Sequence, residues 1–127
     1  MTDALLGKFN IEDEIARFHP GDTASGRRAE TLVKTEGLRV VLVTMRAGIS
    51  LHDHTAPGPI TIHALQGRFS ATYGDQDTEL GPGDFISLAP GIMHAVKALE
   101  DGAFLLTIAW GAATNADNSP AGSFADA

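Results

Sequence analysis

The sequence contains no cysteine. That absence excludes disulfides, thiolate metal sites, iron–sulfur clusters and cysteine nucleophiles together. Basic residues are scarce as well: nine Lys and Arg stand against sixteen Asp and Glu, a formal net charge of −7. So acidic a surface repels phosphate backbones and anionic membrane faces, and neither nucleic acid nor a membrane is expected as a partner. No apolar run approaches the roughly 18 residues that a membrane span requires. The opening MTDALLGKFN lacks a basic region followed by a continuous apolar stretch, so no secretory signal is read there and a cytoplasmic location is expected. Phosphate-loop chemistry is absent too, because Gly81-Pro82-Gly83 precedes a strand and proline has no N–H to offer. No serine stands on a strand-to-helix elbow, which leaves no Ser-His-Asp set.

What is present is a chain of 127 residues, 43% hydrophobic and 20% charged, suited to one soluble domain. Residues 1–28 read as a lead-in. Ile11, Ile15 and Phe18 lie at helical spacing, Asn10 can cap a short helix, and His19-Pro20-Gly21 stops it. From 29 to 110 the pattern changes to short strands, expected near 29–35, 38–46, 60–66, 68–73, 77–80, 84–88, 95–99 and 104–110. Turn residues such as Glu36-Gly37, Gly74-Asp75 and Pro90-Gly91 separate them. Strands at this spacing, with no stretch long and periodic enough for a crossover helix, predict an all-β sandwich or barrel. In Val40-Val41-Leu42-Val43 and Phe104-Leu105-Leu106 both parities are apolar. A strand with one wet face alternates, so something covers the outer face here: the lead-in, or a second subunit in a homodimer. Residues 111–127 are small, polar and aperiodic, the composition of a flexible tail.

Histidine carries the functional signal. His52 and His54 are two apart, and on an extended strand such residues point to the same side, so both imidazoles can converge on one point. Imidazole is the commonest metal ligand. A third, His94, follows the turn Ala89-Pro90-Gly91-Ile92-Met93. A lone HxH pair would look the same on a solvent-facing strand, but its surroundings are specific. Gly48 precedes it and Gly67 follows; then come Gly83-Asp84, Ala89-Pro90-Gly91 and His94.

This arrangement resembles the paired motifs of the cupin superfamily, in its small single-domain, RmlC-like jelly-roll form. The first family motif runs Gly, spacer, HxH, spacer, Glu, six residues, Gly; the second runs Gly, five residues, PxG, two residues, His, three residues, Asn. The resemblance implies an all-β double-stranded β-helix over 29–110. It also implies that His52, His54 and His94 match three of the family's four metal ligands. The departures are informative. Ile60 stands at the glutamate position after a slightly long spacer, Ala89 replaces the proline with Pro90 one place on, and Ala98 replaces the asparagine.

Three neutral imidazoles leave a divalent transition metal (Fe, Mn, Ni or Zn) with its full charge and with open positions for water, dioxygen or an anionic, chelating small molecule. A metal-dependent, dioxygenase-like enzyme is one reading, with isomerase or lyase chemistry as relatives of it. A non-catalytic ligand-binding or sensory module is the alternative. A metal-free sugar epimerase would need a His–Asp pair and a tyrosine acid, and the chain's one tyrosine, Tyr73, lies near a hairpin end. Ile60, Ile62, Phe85 and Met93 are expected to line the cavity or core. The parity of His63 is opposite to that of Ile60, so it faces away as a packed or interface residue unless a register shift turns it inward as a fourth ligand. His19 is expected at the surface.

Overall fold

Asn10 starts the first element. In the computed structural model, which describes residues 4–21 and 23–109 except for the side chain of Asp53, its side-chain oxygen accepts the Asp13 N–H at 3.0 Å. That capping bond satisfies one of the free donors of helix α1 (Ile11–Arg17). Three acidic residues in the first turn and Arg17 in the last suit the helix dipole. The expected tail at 111–127 and Trp110 lie outside the described residues.

Among the described residues nine antiparallel strands follow: β1 (Arg27–Thr35), β2 (Leu38–Met45), β3 (Ser50–His54), β4 (Ile60–Gln66), β5 (Phe69–Tyr73), β6 (Gln76–Leu80), β7 (Phe85–Leu88), β8 (His94–Ala98) and β9 (Gly102–Ala109). Eight of them correspond to the expected segments. β3 is the addition, and hydrophobic pattern could not announce it because Leu51 is its one apolar residue. A five-stranded sheet in the order β1-β2-β9-β4-β7 faces a four-stranded sheet in the order β3-β8-β5-β6.

The inward positions alternate cleanly along β4. Ile60, Ile62 and Ala64 of β4 are buried while Thr61 and His63 between them are half-buried. They meet Val41, Val43 and Met45 of β2, and from the other sheet Leu51, Phe69, Ala71 and Val96. Phe69 and Phe104 tie the sheets together, edge to face with ring centres 5.2 Å apart. The second parity of β2 is covered in part by the helix: Ile15 packs with Leu42 and Ala103, flanked by Ile11, Leu32, Leu65 and Leu105. The Thr44 hydroxyl donates to the Phe18 carbonyl at 2.6 Å and holds the end of the lead-in to the sheet.

Strand directions separate two ends of the barrel. The β4–β5 and β8–β9 turns meet at one end, where the Arg68 carbonyl accepts the Leu99 N–H at 2.8 Å. Gly67 belongs to this contact. Its φ of +77° is left-handed, and a Cβ there would collide with the Asp101 carbonyl oxygen. Gly67→Ala therefore should lower the unfolding free energy by about 2–4 kcal/mol in urea denaturation, since strain and a backbone clash act together. A midpoint equal to that of wild type would contradict this account. The other end carries His54 and His94.

Candidate metal and ligand site

β3 is an edge strand, bonded only to β8. Leu51 opposes Val96, and the next matched pair is His54 with His94. Three steps on β3 thus answer two on β8, which is the count of a β-bulge. The extra residue breaks the two-residue alternation, so Leu51 and His54, three apart, share the inward row of β8. His94 is buried at 3% exposure and His54 is half-buried, while His52 is exposed. This corrects the simple expectation that both members of the HxH pair face one side. Cβ atoms of directly opposed residues on one face lie about 4.5–5.5 Å apart, which makes His54 and His94 cross-strand neighbours.

The protonation pattern of His94 follows from its partner. Nδ1 lies 3.0 Å from the Ile92 carbonyl oxygen, which can only accept, so Nδ1 carries the proton. In the neutral ring the lone pair is then on Nε2, which is buried. Metal-ligating imidazoles are commonly held in this way, donating from one nitrogen to a carbonyl and coordinating through the other. The loop that supplies the carbonyl is itself tied down on two sides: Gly91 N–H donates to the Ala56 carbonyl at 3.0 Å, and Gly74 N–H donates to the Met93 carbonyl at 3.2 Å. By row and by tautomer, His54 and His94 fit two ligand positions of a metal. His52 does not complete the set in this arrangement. Among the described residues no three His, Asp, Glu or Cys side chains form one metal-holding group.

The remaining expected residues divide. Ile60 and Ile62 are buried on the facing sheet. Met93 is half-exposed on the loop beside His94. Phe85 does not line the interior: it is 58% exposed and opposes His63 on the outer face, with ring centres 5.7 Å apart. Its place at the start of β7, opposite an outward residue of β4, decides this. His63 lies on that same outer face, out of step with Ile60 and Ile62. His19 is exposed, and its Nδ1 accepts the Gly21 N–H at 3.0 Å. A shallow cleft of about 60 Å³, reached by Thr44, Gln66 and Asp101, lies beside His19 at the end away from His54 and His94.

Tyr73 has more prominence than the sequence gives it. It opposes His94 on the side away from His54, so the three residues form one row across β3, β8 and β5. Nothing in the spacing of Tyr73 from Gly67 reveals that neighbour, because the pairing spans twenty residues of chain and depends on the register of β8.

Comparison with known proteins agrees with this architecture. A family model described as a cupin domain matches residues 41–110. An RmlC-like cupin from Shewanella frigidimarina is similar over 88% of this chain and 96% of its own, at 16% identity and a TM-score of 0.69. KdgF from a Halomonas species is similar over 85% of this chain and 98% of its own, at 24% identity and a TM-score of 0.65. A conserved double-stranded β-helix protein from Klebsiella pneumoniae covers 84% of this chain and 91% of its own, at 20% identity and a TM-score of 0.69. No protein of curated function matches the sequence. With the family model spanning more than half of the chain and these folds superposing on its two sheets, the chain belongs to the cupin family.

Proposed function

We propose that this cupin binds a small molecule at the histidine end of its barrel, on a divalent transition metal held by His54, His94 and His52. The observation that carries the reading is the cross-strand pair in which His94, its ring held through Nδ1 by the Ile92 carbonyl, directly opposes His54. His52 joins by a shift of the bulge between Leu51 and His54. An edge strand accommodates such a shift at small cost, because β3 has ladder bonds on one side only. Iron, manganese, nickel or zinc suits an imidazole set, and supply and geometry choose among them. When bound, such an ion supplies a positive charge that neutral imidazoles do not cancel, with open positions for a ligand or dioxygen. Dioxygenase-like chemistry is the enzymatic form of this proposal, and isomerase or lyase chemistry its variants.

A metal-free binding or sensory module is the second reading. The exposure of His52 and the hydrocarbon of Ile60 favour it. In either form we expect a homodimer. Helix α1 covers only part of the outer face of the five-stranded sheet, leaving Phe85 exposed beside half-buried His63 and Leu105. No described helix is long and apolar enough to cross a membrane. From the acidic composition we expect a cytoplasmic protein with neither membrane nor nucleic acid as partner.

Elemental analysis of protein purified without a His-tag or chelator tests the metal, with about one equivalent per chain expected, as for a single folded-state site. Iron would direct assays to oxygenation and zinc to hydrolytic or structural roles. No metal, even after reconstitution with Fe, Mn, Ni and Zn, would overturn the metal reading and leave the binding module.

A further inference from the structure

We infer that two copies of this chain associate by a reciprocal exchange, in which the apolar arm of one (Leu5, Leu6 and Phe9) lies on the uncharged outer face of the other's five-stranded sheet. The inference rests on the homodimer expected above and is independent of the metal.

The face comes first. Outward side chains of the five-stranded sheet form rows across its strands, fixed by the register. One row runs Leu42, Leu105, His63 and Phe85. The next, nearer the histidine end, runs Val40, Thr107, Thr61 and Ser87. Among the described residues no Asp, Glu, Lys or Arg takes an outward position on β2, β9, β4 or β7. In a chain that is 20% charged, a sheet face left to water would not read this way. The other sheet supplies the contrast: its outer rows set Lys97 and Glu79 beside Ser70, and Asp77 beside Thr72. Charge returns to the five-stranded sheet at its margin, where Glu30 of β1 opposes Leu42. An uncharged centre with a charged rim is the anatomy of a protein–protein contact. Helix α1 occupies one part of this face, with Ile15 on Leu42 and Ala103, and leaves Phe85 and Ser87 exposed.

The occupant is present in the same sequence. Leu5, Leu6 and Phe9 are 69, 64 and 40% exposed, so the segment before Asn10 does not bury its apolar side chains on its own chain. It leads directly into α1, which lies on this sheet, and so it starts beside the kind of surface it would cover on a second copy. Charge then favours a second copy. At −7 each, two copies repel, and they approach closely only where neither presents carboxylates. Lys8 is the one charged residue between 4 and 10, and its sign complements Glu30 at the margin. A two-fold axis makes the arm-to-face contact twice, because an isologous interface brings i to j and j to i.

Sedimentation of the full chain, in chelator so that no metal contributes, measures association of wild type, of Phe85→Glu and of an arm variant carrying Leu5→Ser and Leu6→Ser. All three side chains are exposed, so the far-UV circular dichroism of both variants should match wild type. The expected result is a wild-type dimer at micromolar concentration and association about 100-fold weaker in each variant. Mixing the two variants should restore heterodimers, since one intact arm then meets one intact face. Wild-type association in both variants would overturn the inference and leave the homodimer on another surface. Weakening by Phe85→Glu with the arm variant still dimeric would overturn the exchange, and so would a mixture that stays monomeric. A monomeric wild type would overturn the inference and the homodimer together. If that monomer dimerised on removal of residues 111–127, the face would belong to the chain's own tail.

Discussion

His94→Ala protein should purify without metal from conditions that leave wild type with close to one equivalent, and it should remain folded. His94 occupies the middle of the row, with His54 on one side and Tyr73 on the other. Its removal leaves His54 without an inward histidine neighbour, and the affinity lost exceeds the roughly 10–100-fold that removal of a supporting outer partner causes. The structural cost is smaller. Alanine retains the strand position, and the Ile92 carbonyl freed of its donor lies on an exposed loop where water replaces the bond. Destabilisation of about 1–2 kcal/mol is expected, in the range of one lost hydrogen bond and a small cavity. Elemental analysis and a thermal melt on the same sample separate the two effects. His52→Ala should shed metal too, which asks directly whether the exposed histidine swings in. His63→Ala, on the outer face beside Phe85, should keep it. Wild-type metal content in His94→Ala would remove the assignment altogether.

The sequence made the barrel legible because its strands are short, apolar in alternation and punctuated by glycine. Ile60, Ile62 and Ala64 show that alternation in their burial, and the outward place of His63 follows from it. The capped helix was equally readable, since Asn10 and the apolar positions Ile11 and Ile15 act locally. The site was readable in its residue types but not in its geometry. A bulge between Leu51 and His54 is a property of the β3–β8 register, and no feature of Leu51-His52-Asp53-His54 taken alone distinguishes it from a regular strand. The same holds for Phe85. Its apolar character suggested an inward position, but the pairing of β7 with β4 sets its face. Long-range register thus decides which of two chemically plausible sides a residue takes, and a one-residue change in it reverses the answer.

Phe104→Ala should produce the largest loss of stability, about 4 kcal/mol, with metal affinity per folded molecule unchanged. Phe104 and Phe69 are both fully buried and come from opposite sheets. Truncating a buried phenylalanine typically costs about 3–5 kcal/mol, because transfer and cavity terms add. Here the partner ring also loses an edge-to-face contact worth about 0.5–1.5 kcal/mol. Relaxation into the gap is hindered by tight neighbours: the Phe69 ring lies where a Cβ on Gly102 would otherwise be, and Gly102 backbone abuts Gln66. A domain of this size has about 5–15 kcal/mol in total, so the alanine variant stands near the limit of folding. Phe104→Leu keeps most of the volume and should lose about 1–2 kcal/mol, a loss that urea denaturation resolves. The pair lies at the end of the barrel away from the histidines, since Phe69 opposes Ala98 while Tyr73, four residues on, opposes His94. Stability and metal binding should therefore separate: the two variants lose similar stability, but the leucine variant keeps its metal whereas His94→Ala loses it. Metal affinity that falls with stability in Phe104→Leu would mean that the histidine row depends on packing between the sheets rather than on the loop that holds the Ile92 carbonyl.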